Sequence, residues 1–278
     1  MSEKPTSGGL NQRLNHLLTR TDATTTHLSR LFSTPSGTDT TLLTLCYTLS
    51  LLSSALKRLQ SLRLSTKRPL LALLTPTPPT LSTLAASTTA LSALIADYRI
   101  FARLWGLLAI YDWGRETYFS PPSDPVLRAA VWAQVAVNVA YQWYENLAYL
   151  AGKGVLRGRW GGKLREEWWW VLSSRFWMAH TALEGVRLLR VRELRVRAER
   201  EAEAKGVKGE RAGEEAERLR REEVRAWRRR FVVNAAWFPQ TVHYSLPKGC
   251  LGDEALGLCG LVAGVLGIKQ LWKDTAAE

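Results

Sequence analysis

Residues 42–59 read LLTLCYTLSLLSSALKRL, and this stretch decides the fold class of the chain. Its leucines recur every three or four residues, which places them on one stripe of a helix. The stripe consists of Leu42, Leu45, Leu49, Leu52, Leu56 and Leu59. Serines lie on the opposite face together with Lys57 and Arg58. The spacing predicts an amphipathic helix over about 39–68. Its apolar stripe is either a core or coiled-coil face or a membrane-inserting surface.

The same helical period continues along the chain, and the alternation typical of half-buried strands appears nowhere. The segment of about 80–118 carries a second apolar stripe, with Arg99 and Arg103 on its other face. This second stripe consists of Leu91, Leu94, Tyr98, Phe101, Trp105 and Leu108. Prolines at 69, 76, 78, 79, 121 and 122 separate the segments. The sequence therefore predicts an all-α, membrane-associated protein of about seven helices.

A fourth segment, about 124–150, is nearly all apolar and approaches the length that spans a bilayer. Its polar exceptions form a narrow stripe of Gln134, Asn138, Gln142 and Glu145. Hydrocarbon satisfies none of these groups, so the stripe requires a partner helix or water. A helix that opens at Trp168 follows a basic connector. If that helix crossed a membrane, two basic loops would face opposite compartments, so we expect it to lie along the interface or to pack on its neighbours.

The chain divides into regions by composition. We predict an N-terminal helix and turn over 1–37, an amphipathic and membrane-associated region over 38–189, and a charged Arg/Glu helix or linker over 190–230. Residues 231–278 form the fourth region, a membrane hairpin or anchor. Its apolar segment is rich in glycine, with Gly257, Gly260, Gly264 and Gly267 available for helix packing. The spacing of Gly260 and Gly264 lets two helices approach closely, and we expect this face to mediate self-association.

Composition narrows the partners. The net charge is +13 and the pI is about 10.0, yet the chain is 46% hydrophobic and holds 12 tryptophans. Anionic lipid and nucleic acid both attract such a surface, but tryptophan favours the membrane interface. Acidic residues interleave with the arginines of 190–230, which weakens any surface for nucleic acid, so we expect none to bind.

No motif in the sequence indicates an enzymatic reaction or a metal or cofactor site. Three cysteines form no metal-type or disulfide-type pattern, and the hydrolase, zinc-protease and nucleotide-binding motifs are absent from the sequence. His180 and Glu184 share a helix face, where a structural hydrogen bond is favoured over an acid–base role. The sequence predicts a protein that is not an enzyme and has no catalytic, cofactor-binding or metal-binding residue. No secretory signal or peroxisomal matrix signal is visible in it.

Three blocks in this order resemble the peroxisomal biogenesis factor 11 family. They are residues 97–108, DYRIFARLWGLL; residues 141–150, YQWYENLAYL, which lead to 153–156, KGVL; and the glycine-rich stretch 256–272. The overall pattern is similar to the gamma-type, fungal branch. The resemblance implies location in the peroxisomal membrane with cytosolic termini, association with itself and with paralogues, and a role in elongating and dividing peroxisomes before the fission machinery acts.

A physical mechanism is compatible with that role. Leucines of the 42–59 helix inserted at the headgroup boundary would add area to one leaflet, while Lys57 and Arg58 attract anionic lipid headgroups. The alternative is a pore or solute-transfer protein whose polar stripe lines a path through the membrane. A soluble helical scaffold is a third possibility. Solute flux through a reconstituted bilayer separates the first two, and extraction by alkaline carbonate identifies the third.

Overall fold

The computed structural model describes residues 7–65, 76–204 and 210–276, and within them every regular element is a helix. The all-α prediction is confirmed. The α-helices are α1 (Ser7–Ser33), α2 (Pro35–Ser65), α3 (Pro78–Ala102), α4 (Gly106–Phe119), α5 (Pro125–Gly152), α6 (Lys163–Ala204), α7 (Glu210–Tyr244) and α8 (Asp253–Ala276). Two short 3₁₀ turns, Arg103–Trp105 and Gly158–Trp160, complete the described elements.

Local chemistry explains three of the helix starts. Prolines occupy the first turns of α2, α3 and α5, where their fixed φ suits the helix and the missing N–H costs nothing. Asp124 caps α5, because its carboxylate accepts a hydrogen bond from the Leu127 N–H at 2.9 Å.

The predicted helix over 80–118 is divided into α3 and α4 by the 3₁₀ turn at 103–105. The turn is followed by Gly106, which lies so close to α5 that an added Cβ would stand 2.5 Å from Oε1 of Gln142. The division therefore accompanies a close contact between residues that are far apart in sequence, and the local pattern did not reveal it.

The charged region 190–230 is helical wherever the structure describes it. Residues 189 and 190 lie within the single helix α6, and residues 230 and 231 lie within α7, so the two boundaries predicted there fall inside continuous helices. Pro239 also lies inside α7 and does not end it, although we expected an interruption there. The charge of the sequence changes along α6 and α7, but the helix continues through each of these changes.

Neighbouring helices run antiparallel. The neighbours in space follow the order α3, α2, α8, α7, α6, α5 and α4. The Trp168 helix, which is the first half of α6, packs between α5 and α7 and not alone along an interface. Ion pairs between the α3 end and α5 close this row of helices around a central space. Helix α1 packs on the end of α8, where His27 Nε2 lies 2.9 Å from the Thr275 hydroxyl and the His27 ring stacks on Trp272.

Candidate membrane-contact surface and polar interior

The leucine stripe of α2 lies on the outside of the bundle. None of its six leucines is buried, and Leu52 at its centre is 46% exposed. The neighbouring Ser53 is only 3% exposed. The Ser53 hydroxyl donates to the Ala85 carbonyl at 3.1 Å and lies 2.6 Å from the Thr89 hydroxyl, both on α3. Helix α2 therefore directs a hydroxyl inward while Leu45 and Leu52 of the stripe stay exposed, although Leu43 on the same helix is buried.

The second stripe, on α3 and α4, also faces outward. Leu94 is 66% exposed, Trp105 is 61% and Leu108 is 67%. Leu91, Tyr98 and Phe101 are exposed as well. Together with the α2 leucines they form an apolar surface much larger than the scattered hydrophobic side chains of ordinary soluble proteins. We call these two stripes the apolar belt.

Arg99 on α3 and Arg103 in the 3₁₀ turn that follows it point inward from the belt. Arg99 donates to both carboxylate oxygens of Asp39 on α2, at 2.8 and 3.2 Å. Arg103 donates to both oxygens of Glu145 on α5, at 3.1 and 2.8 Å. The Glu145 side chain is 5% exposed and also accepts a hydrogen bond from the Tyr141 hydroxyl at 2.8 Å. A buried carboxylate needs such partners, and here each oxygen has them.

The rest of the polar stripe on α5 is used by neighbouring side chains. Gln134 donates to Glu184 on α6 at 3.0 Å. The Asn138 amide lies 2.6 Å from His180 Nδ1, also on α6. Gln142 donates to Asn146 Oδ1 at 2.8 Å. Gln134 and Asn138 thus bind the partner helix α6, whereas Gln142 bonds within α5. The pore alternative stays a prediction.

His180 and Glu184 do not bond to each other in any recorded hydrogen bond. Glu184 instead accepts two hydrogen bonds from Arg187, at 2.6 and 2.7 Å, in addition to that from Gln134. Both residues therefore take part in packing α6 against α5. Among the described residues, no cluster of three or more metal-ligating side chains occurs.

A central cavity of about 700 Å³ lies between α2, α3, α5, α6 and α7. Its wall combines the ion-paired arginines with aromatic rings. The wall residues include Arg99, Arg103, Glu145, Tyr47, Tyr141, Trp170, Trp177, Trp237 and Tyr244. Glu145 is the member of the α5 polar stripe that reaches this wall.

The glycine face of α8 packs on α2 of the same chain. A Cβ built on Gly257 would lie 2.7 Å from Leu51 Cγ, and one on Gly267 would lie 2.8 Å from Thr40 Cγ2. Cβ atoms on Gly260 and Gly264 would collide with Tyr47 and Thr44. The glycines therefore serve helix packing within one chain. Within the single chain α2 covers this face, and its expected role in self-association stays a prediction.

Lys57 and Arg58 lie near the far end of α2, across the helix from the leucine stripe, and both are exposed. Arg58 Nη1 lies 3.6 Å from Glu254 at the start of α8. The α2 segment therefore carries its cations at one end of the bundle, where they reach solvent or lipid headgroups.

Sequence reasoning missed two contacts that hold the long helices. The Trp227 indole donates to the Leu188 carbonyl at 2.8 Å, and Arg192 and Arg195 lie over its ring. At the α5 start, Arg190 Nη2 donates to Asp124 at 2.8 Å. This hydrogen bond is the main reason that the pKa of Asp124 lies below its ordinary value. A tryptophan within an Arg/Glu run was the only available signal for the first contact.

Composition adds one result to the geometry. Of the described helices, α8 is the one long and apolar enough to cross a membrane by length and composition. An outward-facing apolar belt, a hydrogen-bonded polar interior and one apolar helix of spanning length are typical of a helical membrane protein.

The particular family follows from comparison with known proteins. The sequence matches Peroxisomal biogenesis factor 11 over residues 25–272, which is nearly the whole chain. The chain belongs to the Peroxisomal biogenesis factor 11 family, and the prediction from the three blocks is confirmed. It is thus a peroxisomal membrane protein involved in peroxisome proliferation and division. The family is one of biogenesis factors and not of known enzymes.

A protein of Schizosaccharomyces pombe, described as uncharacterized, is 25% identical over 191 residues, covering 66% of this chain and 76% of that protein. No solved structure matches the chain. The gamma-type, fungal branch stays a prediction, because the family match does not distinguish branches.

Proposed function

We propose that this protein bends and elongates the peroxisomal membrane by inserting its apolar belt into the lipid, and that it thereby prepares the organelle for division. Membrane insertion suits the belt because leucine, phenylalanine and tryptophan side chains gain free energy when they leave water. The position of the α2 stripe carries the proposal: Leu45 and Leu52 are exposed and the other four leucines are half-buried, while Ser53 is inside.

Curvature follows from the depth of insertion. A helix that lies at the headgroup boundary occupies area in one leaflet and leaves the other unchanged. The stripe runs from Leu42 to Leu59, 18 residues of helix or about 27 Å at 1.5 Å per residue. Lys57 and Arg58 add attraction to anionic lipid, which acts within a Debye length of the surface.

Orientation is proposed from the charged end of the bundle. Ser36 near the start of α2, Arg230 on α7 and Gln270 near the end of α8 line one pocket, so the start of α2 and the end of α8 meet beside the charged half of α7. That half requires water. We therefore propose that this end, with both termini, faces the cytosol.

The partners proposed are anionic lipid, further copies of the protein and its paralogues, and the organelle fission machinery. Because α2 covers the glycine face of α8, association between copies would use the outward surfaces of the bundle. Copies gathered in this way would concentrate the strain on one area of membrane.

The test uses full-length protein and giant vesicles that contain anionic lipid. We expect the protein to bind and to draw tubules from them, and we expect tubulation to weaken when Lys57 and Arg58 are both replaced by Glu. The loss should shrink as salt is raised, because screening already removes the attraction in the wild type. Vesicles that bind the protein and stay spherical would contradict the proposal.

Solute transfer remains the second candidate, and the central cavity favours it. A cavity of about 700 Å³ has the size of small-molecule sites, and its wall contains charged and aromatic groups. Flux of a small solute across protein-containing vesicles, compared with empty vesicles, separates the two functions. Flux that falls when Glu145 is replaced by Gln, without loss of binding, would support transfer.

A further inference from the structure

A second pocket lies at the charged end of the bundle, between α2, α6, α7 and α8. It encloses about 750 Å³. Trp177 and Trp237, whose ring centroids are 5.6 Å apart, line both this pocket and the central cavity and so stand between them. The pocket opens where α7 changes from its charged half to the apolar stretch 231–238. It therefore lies beside the charged half of α7, where an apolar surface borders on groups that require water.

Two guanidinium groups in this pocket have no ion-pair partner. Arg229 is half-buried and Arg230 is exposed, and neither forms a salt bridge with any described residue. Many other arginines of the same hairpin are paired, as Arg190 and Arg220 illustrate. On α7, however, Arg218, Arg225 and Arg228 also form no salt bridge with a described residue, so what distinguishes Arg229 and Arg230 is their position in the pocket.

The acidic group of the pocket does not neutralise them. Glu184 lines the pocket, but its oxygens already accept hydrogen bonds from Arg187 and Gln134. The other polar lining groups, such as Ser36 and Asn234, carry no charge. The pocket therefore presents an excess of positive charge from two guanidinium groups, which is the chemistry that binds a phosphate group.

The rest of the wall is apolar. Val233, Leu266 and Leu271 line the pocket on α7 and α8. Inorganic phosphate has no apolar part that could pack on this wall, whereas the glycerol and first acyl carbons of a lipid would cover the wall and remove it from water. Basic pockets between membrane helices on the cytoplasmic side bind anionic headgroups in this way.

We propose that this pocket is a specific binding site for one anionic phospholipid, with the lipid phosphate between Arg229 and Arg230 and the acyl chains against α7 and α8. The inference rests on the proposed function, since it needs the bundle to be in a membrane. It adds a defined site to the diffuse attraction of Lys57 and Arg58. A bound lipid would also join α7 to α8 and α2 at the end where the charged hairpin leaves the membrane.

The experiment measures binding of short-chain phosphatidic acid, short-chain phosphatidylcholine and inorganic phosphate to the full-length protein in a neutral detergent. We expect phosphatidic acid to bind with one site per chain and the other two to bind far more weakly. Replacing Arg229 and Arg230 by Gln should lower the affinity for phosphatidic acid by about tenfold for each guanidinium lost. The matched control replaces Arg218 and Arg225 on the same helix, which changes the net charge equally outside the pocket.

Each outcome bears on the site. Equal weakening by the pocket and control variants would overturn it in favour of diffuse charge, and tight binding of inorganic phosphate would overturn the lipid assignment. Thermal unfolding of the lipid-free variants identifies any misfolded protein, and an Arg229→Lys, Arg230→Lys variant then supplies the comparison, with binding retained in part. If the wild type fails to bind vesicles of any composition, the proposed function fails; if it binds vesicles but lacks the headgroup preference, only this site fails.

Discussion

Replacing Leu52 by Asp isolates the role of the α2 stripe. Leu52 is 46% exposed at the centre of the stripe, and the inward contacts of α2 are made by its neighbours, including Ser53. An aspartate there leaves the interior of the bundle intact while it places a carboxylate where we propose lipid. The variant should therefore fold like the wild type but insert poorly into membranes.

The magnitude follows from the exposed surface. Burying a whole leucine contributes about 1.5–3 kcal/mol, so the exposed half of Leu52 contributes about 1 kcal/mol on insertion. A carboxylate held in hydrocarbon costs about 3 kcal/mol more, and less if it stays at the headgroup boundary. Vesicle binding should thus weaken by between about tenfold and about a thousandfold.

The assay combines vesicle flotation, tubulation of giant vesicles and thermal unfolding of the full-length protein in detergent. Ser61→Asp is the matched control, because it adds the same charge to an exposed position across the same helix. We expect Ser61→Asp to have the same unfolding temperature as the wild type and to bind neutral lipid equally well. If Leu52→Asp unfolds, the stripe is an internal packing face. If Leu52→Asp folds and still forms tubules like the wild type, α2 has no part in the mechanism.

Three further predictions concern the bundle itself. Gly264→Ala should lower the stability of the single chain by about 1–3 kcal/mol, because the added Cβ meets Thr44 on α2. The control is Gly252→Ala, since an added Cβ there has open space. Equal unfolding midpoints for the two variants would refute the packing assignment. Arg103→Ala should cost about 3–5 kcal/mol because Glu145 is left buried and unpaired, and a much smaller loss in chemical unfolding would mean that water reaches this carboxylate. The hydrogen bond from Arg190 lowers the folded-state pKa of Asp124, so its stabilisation is present above the unfolded pKa and is lost as pH falls through the folded value. Acid should therefore loosen the start of α5 in hydrogen exchange, and Asp124→Asn should remove that acid dependence; a persistent dependence would assign it to another group.

The helices were predictable because their causes are local. The leucine period of α2, the prolines before α3 and α5, and pairs such as Arg190 with Glu193 act within a turn or two of the chain. Even the Arg/Glu region, expected as a helix or a linker, is helical for this reason where the structure describes it.

The orientation of the faces was not predictable from the same information. A leucine stripe has one period whether it faces a core or lipid, so its outward position required the partners of Ser53 on α3. The glycine face of α8 likewise permits contact with any helix, and only the tertiary structure identified α2 as that helix. The break at 103–105 accompanies the contact between Gly106 and Gln142, which the spacing along the chain cannot reveal.

The contact of the belt with lipid is tested most directly by spin labels on the protein in vesicles. Labels at Leu45, Leu52, Leu94 and Leu108 report collisions with oxygen, which concentrates in lipid, and with a water-soluble nickel chelate; the native cysteines Cys46, Cys250 and Cys259 are replaced beforehand. The account predicts high oxygen and low nickel accessibility at all four positions, and the opposite at Arg218 in the charged half of α7. High nickel accessibility along the belt would contradict it, because the exposed apolar surface would then lie in water.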